Sequence, residues 1–341
     1  GFPLQIKYIS HLFSKTHLVV GLRSSKDIPN NSTPIEGNEI NILKVKTPAG
    51  KGFVRKINSV FWLIKNYSIL NKYMDESDIV HPMLPGDIGF LGLIIALKKN
   101  KLIFIRHCGT WGNKDTLFDK IINWLLPNIA SKRVLILATG HDKKLPVRNN
   151  KYIQWIFSTS ITEREMRSLG LAKPWDGKST LRLISVSRLS FGKNISSLIN
   201  AVKKLKEKSV NVSLSIVGDG DEANNLKRKV SLLNLENQIC FYGNIKHSKV
   251  MEILLKSHLF VFPTNTKEGF PKALVEAMAC GLPSIGTNIS VIPSLLDQGA
   301  GVVLNDTKPD DIFNAIKIMM AERSKMEQMG IKARKIIESY T

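Results

Sequence analysis

Short apolar runs alternate with amphipathic stretches along the whole chain. In the first half, runs rich in Val, Ile, Leu and Phe predict strands at Leu18–Leu22, Ile79–Val80, Leu102–Arg106, Val134–Thr139 and Tyr152–Ile156. Helical spacing predicts helices at Val54–Asn71, Gly89–Lys98 and Thr116–Ile129. In the second half, the same reasoning predicts strands at Leu181–Ser187, Leu214–Val217, Ile239–Tyr242, Leu259–Phe262 and Pro283–Gly286. Strands this apolar, alternating with helices, indicate an α/β fold with a doubly wound parallel sheet in each half.

The 341 residues suffice for two domains of ordinary size. The polar segment Leu171–Thr180 (LAKPWDGKST) precedes a new strand, so the predicted lobes are residues 1–172 and 173–341. In open parallel sheets a ligand binds at the carboxyl ends of the strands, which predicts a cleft between the lobes. The chain opens on a helical pattern, GFPLQIKYIS, and ends on IIESYT; we expect a first strand upstream of this opening and a longer final helix.

The composition is that of an ordinary globular protein, with 43% hydrophobic residues. No uncharged apolar run reaches the length of about 18 residues that would span a bilayer, and the start does not resemble a signal peptide. Cys108, Cys240 and Cys280 are widely spaced and form no CxxC pair, which favours reduced thiols and a cytoplasmic location.

Positive charge is concentrated in the first half of the chain. The net charge is +21, and residues 1–175 hold 26 Lys and Arg against 12 Asp and Glu. This excess suggests nucleic acid or an anionic membrane surface as a partner. The alternative is a surface that lysine merely solvates. No RNP-like motif, zinc finger or helix-turn-helix is evident, which argues against nucleic acid.

One amphipathic helix bears on the membrane question. The stretch KGFVRKINSVFWLIKNYSIL places Phe53, Ile57, Val60, Phe61 and Ile64 on one side and cations on the other. We expect the apolar side to pack on the sheet. The alternative is that it lies on an anionic membrane.

The clearest candidate chemistry begins in LRLISVSRLSFGKN. Arg188 and Lys193 follow an apolar strand and precede a helix, where two cations and a helix N-terminus could hold a diphosphate. Read alone, they could equally be exposed surface cations.

The next segment, LSIVGDGDEANNL, does not complete a dinucleotide motif. Gly218 and Gly220 are followed by Ala223 where the fingerprint needs a third glycine, so a hydride-transfer enzyme is weakly supported. Asp219 and Asp221 could hold a divalent metal, but a tight turn explains them better, and we expect no metal site.

The segment TKEGFPKALVEAMACGLPSIGT carries two carboxylates around one helix. Pro271 suits the first helical turn, and Glu276 interrupts an otherwise apolar helix, where a carboxylate needs hydrogen-bond donors. A ribose diol would supply them. Glu268 precedes the helix beside the backbone N–H groups of Gly269 and Phe270, which together could bind sugar hydroxyls. The alternative is a helix-dipole partner at Glu268 and a salt-bridged core residue at Glu276.

SVSRLSFGKN, the Glu268 and Glu276 pair and EAMACGLPSIGT together resemble the retaining family-4 glycosyltransferases of GT-B fold (glycosyl transferases group 1) over Leu181–Leu304. The resemblance implies two Rossmann-like lobes facing across a cleft. It also implies a donor site formed by Gly1, Arg188, Lys193, Tyr242, Gly243, Asn244, Glu268, Gly269, Phe270, Pro271 and Glu276. Asn194 departs from the family, which often has Gly there.

The resemblance further implies catalytic roles for Glu268, His107, Arg188 and Lys193, and acceptor-side roles for His81, His107, Gly109 and Thr139. We expect metal-independent hexosyl transfer with retention from a nucleoside-diphosphate sugar, with UDP favoured, and no further cofactor. The acceptor would be a carbohydrate or lipid-linked hydroxyl in bacterial surface polysaccharide or glycolipid synthesis, with the enzyme peripheral on the inner membrane face. The alternatives are an inactive nucleotide-sugar-binding module or a basic nucleic-acid-binding protein.

Overall fold

The computed structural model describes residues 2–22, 34–50, 52–140, 146–157 and 161–340. By internal contacts the chain divides into two compact units. The first contains Gly1–Cys108, Gly112–Ala138 and Val147–Gln154, and the second contains Gly109–Trp111, Thr139–Pro146 and Trp155–Thr341. The boundary predicted between residues 172 and 173 stays a prediction.

The first unit carries two sheets. A two-stranded parallel sheet pairs β1 with β2, and a second sheet has the order β3-β5-β6-β7, with β4 also paired to β5. The elements are α1 (Phe2–Ser10), β1 (Thr16–Leu22), β2 (Ile40–Lys46), α2 (Gly52–Asp75), β3 (Ile79–Val80), β4 (Met83–Leu84), α3 (Asp87–Lys98), β5 (Leu102–His107), α4 (Leu117–Ile129), β6 (Val134–Ala138) and β7 (Ile153–Trp155).

The second unit is built on six parallel strands in the order β10-β9-β8-β11-β12-β13. Its strands are β8 (Leu181–Val186), β9 (Val212–Val217), β10 (Ile239–Gly243), β11 (Leu259–Phe262), β12 (Ser284–Thr287) and β13 (Gly301–Leu304). Its helices are α5 (Glu163–Ser168), α6 (Ile195–Glu207), α7 (Ala223–Leu232), α8 (His247–Leu255), α9 (Lys272–Ala279), α10 (Ile292–Leu296), α11 (Pro309–Ala321) and α12 (Arg323–Glu338).

Both faces of this sheet are covered by helices. Successive strand residues point to opposite faces, so Leu183 joins the core under α6 and α11 while Ile184 joins the core under α8 and α9. This double burial explains why β11 is a continuous apolar run and why the adjacent β8 residues Leu183 and Ile184 are both apolar. The doubly wound arrangement expected for the second half is therefore present.

The side of α2 that was predicted to pack on the sheet faces outward instead. Ile57, Val60, Phe61 and Ile64 are 45–70% exposed, so the expectation that they pack on the sheet is wrong. The helix buries another stripe instead, formed by Trp62, Leu70 and Met74, and the Trp62 indole N–H donates to the Lys46 carbonyl. Because α2 is apolar on two sides, periodicity alone could not say which side faces inward. The side chain of Phe53 lies outside the described residues.

Within the described residues, no helix combines the length and hydropathy needed to cross a membrane.

The two glycines after β9 allow two loops to approach closely. A methyl group on Gly218 would overlap the Ser187 carbonyl oxygen, and one on Gly220 would overlap that of Leu189. Gly218 also has φ +127°, which side chains rarely adopt. Backbone hydrogen bonds from Ser187 to Val217 (3.0 Å) and from Leu189 to Asp219 (2.9 Å) join these loops. The Gly-Asp-Gly segment therefore packs the end of β9 against the loop after β8.

We predict that Gly218→Ala destabilises the second unit by about 2–4 kcal/mol, because the new methyl group overlaps backbone in a conformation that disfavours it. Thermal unfolding followed by circular dichroism measures the effect. Gly170→Ala is the matched control, because a methyl group there meets nothing within 4 Å. Equal melting temperatures for the two variants would contradict the packing role of Gly218.

Candidate active site

The strand order fixes where a ligand site can form in the second unit. From β8 the chain moves outward to β9 and β10, then returns to β11 on the other side of β8 and continues to β12 and β13. At such a reversal the connections after the two central strands diverge to opposite faces and leave a crevice at their carboxyl ends. The loops after β8 and β11 carry Lys193 and Glu268, two of the predicted site residues.

The loop after β8 places its two cations differently. Arg188 is exposed, whereas Lys193 ends a short 3-10 turn, Phe191–Lys193, and is buried. Asn194 follows with φ 50°, a left-handed conformation that Gly adopts freely and Asn tolerates better than most residues. Its side-chain amide donates to the Pro263 carbonyl (2.9 Å) and so ties the loop after β8 to the loop after β11. The departure from the family pattern at Asn194 therefore preserves the turn and adds a contact.

Lys193 and Glu268 meet in an ion pair. The Lys193 ammonium lies against the Glu268 carboxylate, 3.5 Å from the Thr264 hydroxyl and 5.5 Å from the centre of the Phe262 ring. The side chains are 10% and 25% exposed respectively. Burial lowers the pKa of Lys193. At the strand reversal, this pair brings a buried cation and a carboxylate into direct contact.

The backbone of Glu268 is held in place by two hydroxyl groups. Its carbonyl oxygen accepts hydrogen bonds from Thr110 (3.2 Å) and from Ser290, and the two hydroxyls are themselves 2.9 Å apart. Thr110 belongs by its contacts to the second unit. Neither hydroxyl residue was predicted from the sequence, because a hydroxyl that binds a distant carbonyl has no pattern in the chain. The two hydroxyls therefore hold the main chain of Glu268 where its side chain reaches Lys193.

Glu276 has a hydrogen-bonding partner, as the apolar helix around it requires. It is buried on α9, and its carboxylate lies 3.1 Å from Nε2 of His247, the first residue of α8. The hydrogen bond to Glu276 raises the pKa of His247, against the effect of burial, and the charge of Glu165 adds to this. His247 was missed in the sequence, where it reads as an ordinary loop histidine.

The other residues predicted for the donor site lie in two places: between Glu268 and Glu276, and at the end of β10. Pro271 caps α9, Gly281 just beyond that helix has φ 71°, and the ring of Phe270 packs near Phe157 and Tyr340. Gly269 is buried. Tyr242, Gly243 and Asn244 lie at the end of the edge strand β10, where Gly243 has φ 66° and Tyr242 is exposed. Their predicted roles stay predictions, and Gly1 lies outside the described residues.

The acceptor-side predictions fall in both units. In the first, His107 is buried at the end of β5, and His81 stacks on Phe104 (3.9 Å) with Nδ1 2.8 Å from its carbonyl oxygen. Burial lowers the pKa of His81. In the second, the Thr139 hydroxyl donates to the Gly109 carbonyl (3.2 Å). The structure thus brings Thr139 and Gly109 together.

The Asp219 and Asp221 pair behaves as a turn. Asp219 accepts a hydrogen bond from the backbone N–H of Gly220 (2.8 Å) and lies within the Gly-Asp-Gly segment described above, and Asp221 directly follows that segment.

Comparison with known proteins gives a family match over the second unit. Residues 175–336 match the family described as glycosyl transferases group 1. The gpi3 subunit of phosphatidylinositol N-acetylglucosaminyltransferase from Schizosaccharomyces pombe is 29% identical over 35% of this chain and 26% of its own length. N-acetyl-alpha-D-glucosaminyl L-malate synthase from Bacillus anthracis is 34% identical over 45% of this chain and 40% of its own. The alignments thus span well under half of these relatives.

Solved structures extend the likeness to most of the chain. The Anabaena HepE structure in complex with UDP and glucose superposes with a TM-score of 0.65 at 15% identity, covering 89% of this chain and 82% of that one. At this identity the match bears on the fold, and it confirms the α/β class with two Rossmann-like lobes. With the family match, the resemblance seen in the sequence is confirmed: residues 175–336 match the glycosyl transferases group 1 family, and the fold is the GT-B fold of these solved structures.

Proposed function

We propose that this chain transfers a hexosyl group from a nucleoside-diphosphate sugar to an acceptor hydroxyl, with retention and without a metal ion. The observation that carries the proposal is the meeting of Lys193 and Glu268 at the strand reversal, with Glu276 on the helix that follows. A cation suits a diphosphate and carboxylates suit hydroxyl groups, so these residues match the two chemical parts of such a donor.

The proposed reaction develops positive charge on the sugar and negative charge on the leaving diphosphate. Lys193, Arg188 and backbone N–H groups would stabilise the diphosphate. Glu268 would hold the donor sugar and Glu276 the ribose. The acceptor would attack from the face that the diphosphate leaves, and a phosphate oxygen would take the acceptor proton. His107 and His81 are proposed on the acceptor side.

A UDP-linked N-acetylhexosamine is the donor we favour. Both relatives named above carry N-acetylglucosaminyl groups in their names, and the Anabaena structure holds UDP. The yeast relative is named a phosphatidylinositol N-acetylglucosaminyltransferase subunit, which supports a lipid-linked acceptor here.

We also propose that the first unit contacts an anionic membrane surface, which places the enzyme at the inner face of a membrane. The outer face of α2, formed by Val54, Ile57, Phe61 and Ile64, exposes four large apolar side chains in helical register. Exposed lysines on the same helix and the positive first half of the chain complement acidic headgroups.

The donor site is tested by a thermal-shift screen of UDP-, GDP- and ADP-sugars in excess EDTA. We expect one donor to stabilise the wild type by about 2.7 kcal/mol at a hundredfold excess over its Kd. Lys193→Met and Glu276→Gln should lose this shift and the sugar transfer, because they remove the diphosphate and ribose contacts. Lys203→Met is the control, since Lys203 is a half-exposed cation on α6 paired with Glu207.

Full stabilisation and turnover in both site variants would contradict the proposed site. Loss of donor binding in EDTA, restored by a divalent ion, would instead favour metal binding by Asp219 and Asp221.

The His247–Glu276 pair predicts a pH-dependent stability. Because the pKa of His247 is raised in the folded protein, the pair stabilises the fold fully below the unfolded value of about 6.5 and loses this effect as pH rises through the folded pKa. The melting temperature of wild type should therefore exceed that of His247→Gln by more at pH 6 than at pH 9. In the Glu276→Gln background, where the main cause of the raised pKa is gone, adding His247→Gln should lower the melting temperature about equally at pH 6 and pH 9. A difference independent of pH would refute the pairing.

Membrane contact is tested by flotation with vesicles of phosphatidylcholine, with or without about a third phosphatidylglycerol. We expect binding to the acidic vesicles that weakens at high salt. The double change Phe61→Ser with Ile64→Ser should reduce it severalfold, since each side chain removes apolar area from the contact. Leu232→Ser is the control, because Leu232 is exposed in the second unit. Equal flotation of all three proteins would exclude the outer face of α2 as the membrane-binding surface.

A further inference from the structure

The ion pair between Lys193 and Glu268 has a consequence for how a diphosphate can bind. The Lys193 ammonium already has an anionic partner, and its remaining described neighbours are the neutral Thr264 hydroxyl and the Phe262 ring. A phosphate oxygen that approaches this ammonium also approaches the Glu268 carboxylate. The two anions repel each other, so they compete for one cation.

The geometry around Glu268 allows its carboxylate to give up the ammonium. The main chain of Glu268 is fixed by Thr110 and Ser290, while its side chain remains a quarter exposed. Lys193, by contrast, is held by the turn before α6 and is almost wholly buried. Glu268 is therefore the member of the pair that can change partner, provided that new hydrogen-bond donors reach its carboxylate.

An intact sugar nucleotide brings such donors, and a nucleoside diphosphate does not. Sugar hydroxyls can donate to Glu268 while the diphosphate takes Lys193, so both charged groups remain partnered. A nucleoside diphosphate would take Lys193 and leave the half-buried Glu268 carboxylate without its cation, which is costly.

From these contacts we propose that Glu268 is a specificity-determining residue that makes diphosphate binding depend on the attached sugar. It competes with the diphosphate for Lys193, favours the sugar nucleotide over the nucleoside diphosphate, and assists product release once the sugar has left. The inference rests on the proposed function, because it assumes that a sugar nucleotide binds at this strand reversal.

Isothermal titration of wild type and Glu268→Gln with UDP and UDP-N-acetylglucosamine, and with the GDP and ADP counterparts, tests the inference. Glutamine keeps the shape of the side chain and removes the competing charge. We expect the nucleoside diphosphate to bind about tenfold more tightly to Glu268→Gln, the usual effect of one charge-assisted contact. The sugar nucleotide should gain less or lose affinity. The preference for the sugar nucleotide should therefore fall, by about tenfold or more where the sugar nucleotide gains no affinity.

Two further variants separate this effect from a general change of charge. Asp221→Asn removes a carboxylate from the connection after the neighbouring strand β9, and it should leave the preference unchanged. Lys193→Met removes the shared cation and should weaken both ligands. Circular dichroism checks that each variant is folded.

The outcomes distinguish the inference from the function on which it rests. If sugar nucleotides bind the wild type but Glu268→Gln binds the nucleoside diphosphate no more tightly, the inference fails and the proposed function stands. The inference also fails, with the function intact, if Asp221→Asn gives an equal gain. If no nucleotide or sugar nucleotide binds the wild type, the proposed function fails, and the inference fails with it.

Discussion

The reversal of strand order between β8 and β11 is the constraint on which the candidate site depends. Parallel strands buried on both faces must return through helices, so the loops that leave the strands all lie at the carboxyl edge of the sheet. The reversal opens a space between two of these loops, and the Asn194 amide and the glycines after β9 hold the surrounding backbone close together. A buried ammonium and a carboxylate can then meet across 75 positions of sequence. The site is a product of topology more than of any local motif.

This dependence explains which parts could be predicted from the sequence. Strand β11 is a continuous apolar run, and β8 is apolar except at Arg182 and Ser185, so their ends, and the residues Lys193 and Glu268 that follow, could be placed in advance. Glu276 was marked by its apolar surroundings. The partners of these residues were not predictable, because Thr110, Ser290 and His247 act through contacts between distant loops. Strand β2 was missed for a different reason: Asn and Lys interrupt its apolar residues, and most of it is not buried.

The first unit shows where hydrophobic periodicity reaches its limit. Helix α2 has one apolar stripe around Trp62, Leu70 and Met74, and another around Ile57, Phe61 and Ile64. Each stripe satisfies the same helical spacing, so the sequence alone cannot rank them. In the structure the stripe around Trp62 is buried, and the stripe around Phe61 faces outward. A contiguous outward apolar stripe is uncommon on soluble proteins and typically marks a contact surface. The error in the packing prediction is therefore informative about function.

The proposed membrane contact and the candidate donor site differ in how their charges are arranged, so they bind their partners in different ways. The excess of positive charge lies in the first half of the chain, where the proposed partner is a surface carrying many negative groups.

In the candidate donor site, Lys193 is paired with the Glu268 carboxylate and His247 with the Glu276 carboxylate. Because each of these two cations already has a carboxylate partner, net attraction at Lys193 and His247 does not by itself account for selective binding. Selectivity there must come from an exchange of partners, in which a ligand replaces each internal contact with one of equal strength. A sugar nucleotide has the chemical groups for both exchanges, since its phosphates can replace Glu268 at Lys193 and its hydroxyls can satisfy the carboxylates. This requirement for two simultaneous replacements distinguishes a donor site from the polyanion-binding surface that the overall charge would suggest.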